Sequence, residues 1–218
     1  MIEYRGEAFT KGEGVMIVIY GISLNQLPAV ERMQAKIGEQ WMAAWRRRHP
    51  TLKGDSAGMS LGGLYLLRES GAVGELAYTE MGRPFLRGQG IDFSISHTRD
   101  TVFCAVGDGS CSVGLDAEDL SRLSESKQEA MAERWFGETE RAQWEKDPSS
   151  KTFLWLWTRK EALVKRTGEG MRQLRLVDTF APCEGNKAAF RTYWRESTCI
   201  TLCAEESACV DERIFWIG

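Results

Sequence analysis

The amino-acid sequence predicts an α+β fold in two halves, because strand-like and helical patterns each occur twice along the chain. A run of β-branched residues at 15–22 precedes helical spacing, and residues 91–117 are rich in strand-like segments. Helical spacing returns at 121–166, and residues 173–218 are strand-like again. Each half would pack helices on a small, mainly antiparallel sheet, and two such halves facing each other would enclose a cleft.

The N-terminal half is predicted to contain two helices and three strands. The first strand covers the apolar run at 15–22. Pro28 then opens a helix that runs to residue 48, since its apolar residues recur at spacings of three and four. A second helix is expected at 57–68, and two strands are expected at 91–96 and 101–107.

The C-terminal half is predicted to begin and end in strands, with helices between them. Asp108-Gly109 is a strong turn signal, so residues 112–117 would return as the next strand. Further elements are expected as helices at 127–135, 139–144 and 150–166 and as strands at 188–194, 200–204 and 213–217. The change of pattern near residues 111–114 predicts a division into residues 1–112 and 113–218.

Charge and hydropathy exclude several classes of protein. With a net charge of −3, the chain has no bulk attraction to nucleic acid or to an anionic membrane. Any affinity for phosphate must come from local basic clusters, such as Arg46-Arg47-Arg48. The longest apolar run, at 15–22, is far shorter than the roughly 20 residues that span a bilayer. Residues 1–14 are polar, so we expect a loose leader and no signal peptide, with Met1 or Met16 as the start.

The cysteines predict buried, reduced thiols in a cytoplasmic protein. There are six of them, none in a C-x-x-C pair, and the chain has only two histidines, which argues against a zinc site. The six positions are Cys104, Cys111, Cys183, Cys199, Cys203 and Cys209.

Two carboxylates lie two residues apart in the segment VGLDAE at 113–118. Residues i and i+2 of a strand point to the same face, so Asp116 and Glu118 would project together. Two like charges so close repel each other unless a cation or a proton lies between them. A metal site is one interpretation of the pair, and a solvated strand end is the other.

A third carboxylate lies on the predicted helix at 150–166. Glu161 and Lys165 are four residues apart and share one helix face, beside apolar residues that include Trp157. The pair is either an ordinary surface ion pair or a carboxylate and a phosphate-neutralising cation presented together. Mg²⁺ suits the second interpretation, because it binds a few carboxylates and completes its shell with water and phosphate oxygens.

Two further motifs are weaker on their own. In the segment DFSISH at 92–97, apolar and polar residues alternate up to His97, which is either a structural hydrogen-bonding residue or a donor to a pyrophosphate. Gly82-Arg83-Pro84 has the composition of a turn.

The order and spacing of five motifs closely resemble the 4′-phosphopantetheinyl transferase superfamily. The motifs are GRP at 82–84, FSISHT at 93–98, GLDAE at 114–118, FGETE at 136–140 and WTRKEALVK at 157–165. The sequence is similar to the surfactin-synthetase-type branch, in which one chain holds two similar halves, rather than to the short trimeric holo-carrier-protein synthases. The resemblance therefore implies a monomer with its active site in the cleft between the halves.

The resemblance also implies a reaction. The 4′-phosphopantetheine arm of coenzyme A would be transferred to a serine of an apo acyl or peptidyl carrier protein, releasing adenosine 3′,5′-bisphosphate. The carrier could serve fatty-acid, polyketide or nonribosomal-peptide synthesis, and the acidic enzyme would dock it through a local patch, with Arg134, Trp135 and Phe136 as candidates.

The resemblance implies, position by position, which residues bind the metal and which are catalytic. Asp116, Glu118 and Glu161 match the carboxylates that hold Mg²⁺, with Mn²⁺ as an alternative ion. Glu161 is also implied to help deprotonate the serine, directly or through water. Lys165 matches the lysine that neutralises the phosphates, so Glu161 and Lys165 are the implied catalytic residues.

Contacts to coenzyme A are implied at several positions. Ser96 and His97 match residues that contact its phosphates, and Arg83 lies where the family usually has a basic residue near the adenine. Lys165 and Asp116 complete the implied coenzyme A site, and Glu140 matches a further acidic position near the metal.

The sequence departs from the family at the 3′-phosphate site. Residues 57–60 (AGMS) lack the His and Arg often found there, so Arg46–Arg48 or Lys53 would have to substitute. Two other functions stay open: a catalytically silent module that binds coenzyme A or a carrier protein, and a Mg²⁺-dependent phosphohydrolase.

Overall fold

The computed structural model describes residues 16–180 and 188–218. The predicted leader and Cys183 lie outside these residues. The first part of the chain forms strands β1 (Met16–Ser23), β2 (Glu75–Tyr78), β3 (Pro84–Arg87), β4 (Asp92–His97) and β5 (Thr101–Gly107), with helices α1 (Val30–Ile37), α2 (Glu39–Arg48) and α3 (Gly54–Glu69). The second part forms β6 (Gly114–Asp119), α4 (Glu125–Trp135), α5 (Glu138–Lys146), α6 (Ser150–Thr167), β7 (Ala188–Arg195), β8 (Thr198–Glu205) and β9 (Cys209–Trp216).

The two parts repeat one topology, which confirms the predicted α+β fold of two similar halves. Each has a strand, three helices and then an antiparallel pair of strands, and the strand orders β4-β5-β1 and β7-β8-β6 correspond. The first half adds the β2–β3 hairpin. Strand β9 runs parallel to β1 and extends the first sheet, although it lies beyond residue 113. The exact division at residues 112 and 113 stays a prediction.

The hydrophobic core lies in layers on both sides of the first sheet. One layer packs that sheet against α1–α3, with Trp41 and Phe93 fully buried. A second layer joins the two sheets, where Ile17 and Phe103 of the first pack with Leu115 of the second. A third surrounds α6 and the helices α4 and α5. Helix α6 therefore lies against the face of the second sheet that is turned away from the first sheet.

The prediction of a single helix at 28–48 is wrong. Gly38 has φ of +84° and separates α1 from α2. A left-handed φ is accessible to glycine at little steric cost, so the chain changes direction there. Both helices still bury their apolar faces, with Ile37 at the end of α1 and Trp41 early in α2.

The strand predicted at 112–117 is present as β6, but it does not return beside β5 as the turn signal implied. Strand β5 is already paired on both edges, with β4 and with β1. Strand β6 instead pairs antiparallel with β8, from Gly114 opposite Cys203 to Asp119 opposite Thr198. The turn signal at Asp108-Gly109 is real, since Gly109 has φ of +76°, but the chain crosses there to the other sheet.

Strands β4 and β6 meet through side chains. Backbone N–H groups of β6 and of the residue before it donate to alternate β4 side chains: Val113 to Asp92 (2.7 Å), Leu115 to Ser94 (2.9 Å) and Ala117 to Ser96 (3.1 Å). The donor is 21 residues after the acceptor each time, so the strands run in the same direction. The alternating polar face seen in the sequence thus joins the two halves, and we call this contact the β4–β6 junction.

Helix α6 approaches β6 so closely that only glycine fits at residue 114. A Cβ on Gly114 would overlap the Ala162 carbonyl oxygen and would lie 2.6 Å from the Arg166 backbone nitrogen. Because these are backbone atoms, neither can move without shifting the helix. The absence of a side chain at Gly114 therefore sets the distance between α6 and the acidic residues that follow on β6.

We expect Gly114→Ala to lower the free energy of unfolding by ~3 kcal/mol, because the new methyl group overpacks a backbone contact. Urea denaturation measures the change. Gly58→Ala is the matched control: Gly58 lies within α3 with open space around its Cα, so alanine should raise stability by ~0.5–1 kcal/mol. Equal stability of the two variants would contradict this account of the β6–α6 contact.

A buried ion pair fixes α6 to α5. Lys160 and Glu140 are both fully buried, and Nζ of Lys160 lies 2.5 Å from Oε2 of Glu140. Glu140 also accepts hydrogen bonds from the backbone N–H groups of Gly137 (2.9 Å) and Thr179 (3.0 Å). Both carboxylate oxygens of Glu140 are thus used within the structure, and its role is to hold the helices together.

Replacing Lys160 with methionine should destabilise the protein by ~3–5 kcal/mol, since it leaves the Glu140 charge buried without a counter-ion. The double variant Lys160→Met/Glu140→Gln should lose less than the sum of the single changes, because the unpaired charge is gone. Thermal unfolding of the four proteins gives the comparison. Additive losses would show that the two side chains do not depend on each other.

The described cysteines carry free thiols, and the prediction that they are buried is wrong for Cys209. Cys104, Cys111, Cys199 and Cys203 are buried, whereas Cys209 is exposed. Burial raises the pKa of Cys199 to about 11 and raises that of Cys104 as well, so both stay protonated at neutral pH.

None of the helices in the described residues has the length and apolar character needed to cross a bilayer.

Candidate active site

Asp116 and Glu118 project from the same face of β6, as their spacing predicts. The intervening Ala117 and the preceding Leu115 point into the core between the sheets, so the two carboxylates face α6. Asp116 is 2% exposed and Glu118 is 5% exposed. Buried carboxylates of this kind need compensating partners.

Lys165 of α6 supplies one of these partners. Its Nζ lies 2.7 Å from Oδ1 of Asp116, and the lysine side chain is 31% exposed whereas that of Asp116 is 3% exposed. The spacing of the helix thus places a cation directly against the acidic face of β6. The main partner of Lys165 is Asp116. The interpretation of Glu161 and Lys165 as an ordinary surface ion pair is therefore incomplete.

Three carboxylates act on the Lys165 ammonium. Burial alone would lower the pKa of Lys165, but nearby negative charges outweigh burial and raise the pKa above its ordinary value. These charges are Asp116, Glu161 and Glu118. Opposite charges affect a pKa in this way from within about 4–6 Å. The structure therefore places Lys165 directly against Asp116, with Glu161 and Glu118 near enough for their charges to raise its pKa.

Ser96 joins this cluster from the first half. Its hydroxyl donates to Oδ1 of Asp116 at 3.0 Å and accepts from Nζ of Lys165 at 3.0 Å. The same oxygen accepts the N–H of Ala117 at 3.1 Å. A serine hydroxyl has one donor and two acceptor sites, so every hydrogen-bonding site of Ser96 is used.

A cavity of about 300 Å³ opens beside the cluster at the ends of β4 and β6. His97 and Glu118 lie in its wall, together with Thr98, Arg99, Asp119 and Ser121. His97 is exposed, and its Nδ1 lies 3.3 Å from the Thr98 carbonyl oxygen. The cavity therefore combines cationic or hydrogen-bonding groups from the first half with carboxylates from the second.

Arg99 and Asp119 are cavity residues that the sequence reasoning missed. Both line the cavity, and the backbone N–H of Arg99 donates to Oδ2 of Asp119 at 3.4 Å. Each directly follows a motif, two residues after His97 in one case and one residue after Glu118 in the other. Extending the motifs to their neighbours could have found them.

The donor set suits a hard divalent cation, although the acids are not arranged as a ready-made site. No group of three or more His, Cys, Asp or Glu side chains in the described residues is placed to hold a metal. Oδ2 of Asp116, however, is buried with no hydrogen-bond partner among the residues described. A buried carboxylate oxygen needs a partner, and carboxylates are the ligands that Mg²⁺ prefers. The Mg²⁺ assignment is thus compatible with these residues and stays a prediction.

Arg83 lies away from His97. It donates to Oδ2 of Asp92 at 2.7 Å and to the Val113 carbonyl oxygen at 3.1 Å, which places it at the start of β4, whereas His97 ends that strand. Five residues of strand span about 16 Å. The predicted turn before it is confirmed, since Gly82 has φ of +92°.

Two other predicted positions, Glu140 and Arg48, lie elsewhere in the structure. Glu140 is bound to Lys160, as described above, and is not part of the acidic cluster. Arg48, one of the candidates for the 3′-phosphate, covers Gly82, where even a Cβ would meet its guanidinium. The Arg48 guanidinium therefore lies at the GRP turn, whereas the guanidinium of Arg83 is bound to Asp92.

Sequence comparisons agree with the motifs. Residues 112–214 match the family model of the 4′-phosphopantetheinyl transferase superfamily. The chain is 32% identical over 123 residues to the 4′-phosphopantetheinyl transferase AcpT of Salmonella typhimurium, covering 56% of this chain and 64% of AcpT. It is 32% identical over 142 residues to the 4′-phosphopantetheinyl transferase HetI of a Nostoc species, covering 62% of this chain and 58% of HetI.

A further relative is the 4′-phosphopantetheinyl transferase gsp of Aneurinibacillus migulanus, which is 35% identical over 98 residues, or 42% of this chain and 37% of gsp. The chain thus spans at most 64% of the length of these relatives. The match at 112–214 contains β6 and α6, the elements that carry the three acids and Lys165. By this match and these relatives, the chain is similar to the 4′-phosphopantetheinyl transferase superfamily over the segment that carries these residues.

Proposed function

We propose that the protein transfers the 4′-phosphopantetheine arm of coenzyme A to a serine of an apo acyl or peptidyl carrier protein. The observation that carries this proposal is the Lys165–Asp116 pair at 2.7 Å, with the charges of Glu161 and Glu118 acting on the same ammonium and a cavity lined by His97 and Glu118 next to it. In the reaction, the serine oxygen forms a bond to the phosphorus that bears the pantetheine arm. The bridging P–O bond breaks, and adenosine 3′,5′-bisphosphate leaves.

The charges of the cluster suit attack on a pyrophosphate. Such transfers depend on positioning and on neutralising the negative charge that develops on the phosphate oxygens. Lys165 keeps its positive charge because its pKa is raised, and it uses two of its three N–H donors on Asp116 and Ser96. The third donor is left for a phosphate oxygen of the substrate.

Asp116, Glu118 and Glu161 would hold Mg²⁺ or Mn²⁺. When bound, the ion would neutralise the pyrophosphate and orient it. The assignment of Asp116 is supported by its Oδ2, which is buried and lacks a hydrogen-bond partner in the described part of the chain. Glu161 is partly exposed, and we assign it the second task of accepting the serine proton, directly or through a water.

The remaining contacts to coenzyme A are assigned to two places. His97 and Arg99 at the cavity would bind phosphate oxygens, since both present donors there. Arg48 and Arg83 at the GRP turn would bind the adenosine end of coenzyme A, including its 3′-phosphate. Ser96 is not assigned a ligand contact, because its hydroxyl is fully used within the protein.

The carrier protein would dock near the cavity through local contacts. Arg134 lies 4.7 Å from the ring centre of Trp135, and both are accessible at the end of α4. Phe136 is 6% exposed and packs on Phe153, so it belongs to the core. We expect a cytoplasmic monomer, in keeping with the reduced thiols.

The function is tested by incubating the protein with coenzyme A, Mg²⁺ and a panel of apo carrier proteins from fatty-acid, polyketide and nonribosomal-peptide systems. We expect at least one carrier to gain the mass of one phosphopantetheine group, with adenosine 3′,5′-bisphosphate released in equal amount. Intact-mass measurement and nucleotide chromatography follow the two products. Breakdown of coenzyme A without a carrier would indicate a phosphohydrolase instead, and binding without turnover would indicate a silent module.

Glu161→Gln should lower kcat by roughly 100-fold or more, because the amide can neither accept a proton nor neutralise a cation. The fold should persist, since the change is nearly isosteric and the side chain is partly exposed. Glu169→Gln, an exposed position just after α6, is the control and should retain activity. Near-normal turnover of Glu161→Gln at saturating Mg²⁺ would remove Glu161 from the site.

A further inference from the structure

The β4–β6 junction contains two serines with similar surroundings and different connections. Ser94 and Ser96 are both buried, at 6% and 5% exposure, and each accepts one backbone N–H from β6. Only Ser96 also reaches the charged cluster, through Asp116 and Lys165. The hydroxyl of Ser94 therefore has only a structural contact with β6, whereas that of Ser96 also contacts the site.

Ser96, Asp116 and Lys165 form a closed triangle of hydrogen bonds. The three sides are 3.0 Å, 3.0 Å and 2.7 Å long, and they join β4, β6 and α6. A lysine ammonium ends a flexible four-carbon chain, so one carboxylate alone would leave its position loosely defined. The second contact, with the hydroxyl of Ser96, holds the Lys165 ammonium between Ser96 and Asp116.

The triangle also selects which atoms remain for a ligand. Oδ1 of Asp116 accepts from both Ser96 and Lys165, so Oδ2 is the oxygen left over, and it has no partner in the described structure. Lys165 retains one N–H donor by the same count. Without the hydroxyl, the Asp116 carboxylate could rotate and the Lys165 ammonium could move toward either oxygen.

We propose that Ser96 is a positioning residue, whose hydroxyl aligns Asp116 and Lys165 across the β4–β6 junction without itself contacting the substrate. The proposal rests on the proposed transferase function for its kinetic effect. It differs from the direct phosphate contact that the sequence resemblance implies for Ser96. The two roles predict different kinetics, because a pure ligand contact changes KM whereas misaligned reacting groups change kcat.

The central experiment compares Ser96→Ala with Ser94→Ala, because each deletes one hydroxyl from the same junction. Both should lower the urea midpoint, since each leaves one buried β6 N–H without its acceptor, and Ser96→Ala should lower it further because it also loses the bonds to Asp116 and Lys165. Ser96→Ala should lower kcat by roughly 10–100-fold with KM for coenzyme A within about threefold of wild type. Ser94→Ala should keep kcat within about twofold, and Ser96→Thr, which restores the hydroxyl, should recover part of the loss.

A double-mutant cycle tests whether Ser96 acts through Lys165. Ser96→Ala should have much less effect on kcat in a Lys165→Ala background than in the wild type, because the group it positions is gone. The same cycle is measured on urea midpoints, and there too the two changes should be non-additive. The midpoint cycle requires no turnover, so it remains decisive if the wild-type protein shows no transfer and the proposed function fails.

Three results would overturn the proposal. A raised KM for coenzyme A with unchanged kcat in Ser96→Ala would mean a direct substrate contact. An equal loss of kcat in Ser94→Ala would mean that the junction matters only as a whole. Additive effects in both cycles would mean that Ser96 and Lys165 act independently.

Discussion

The β4–β6 junction is the contact on which the site depends, because it is where the two halves share hydrogen bonds next to the acidic residues. Backbone N–H groups of β6 and of the residue before it, which would otherwise be buried without acceptors, donate to Asp92, Ser94 and Ser96. Leaving such a group unsatisfied costs about 1–3 kcal/mol, so the junction fixes the register of the two sheets. That register places Ser96 beside Asp116, and the candidate site residues of the two halves meet as a result.

The third part of the site comes from α6, and two buried features fix its position. Gly114 lets the helix backbone approach β6, and the Lys160–Glu140 pair ties the helix to α5 on another side. Neighbouring residues on α6 thus have opposite tasks. Lys160 is fully buried and structural, whereas Glu161, one residue on, is partly exposed in the acidic cluster. Helix geometry separates them by about 100° around the axis.

Electrostatics explains why the cluster can be reactive and still be stable. Asp116 is buried beside a lysine that stays protonated because of the surrounding acids. The attraction compensates the buried charge, and the hydroxyl of Ser96 supplies a further bond to Oδ1. Oδ2 of Asp116 is one of the buried polar atoms that lack a hydrogen-bond partner among the described residues. Buried polar groups are nearly always paired, so an orphaned oxygen beside a cavity is a natural place for a ligand.

The sequence by itself determined the fold class, most element positions, and the pairing of Asp116 with Glu118, because these follow from periodicity and local spacing. It could not show the break at Gly38, the pairing of β6 with β8, or the burial of Glu140 against Lys160. Each of these depends on contacts between residues far apart in the chain. Only the tertiary structure gave Ser96 its three bonds and placed Lys165 on Asp116. The physical reason is that a motif fixes which side chains are available, whereas packing decides which of their atoms are already used.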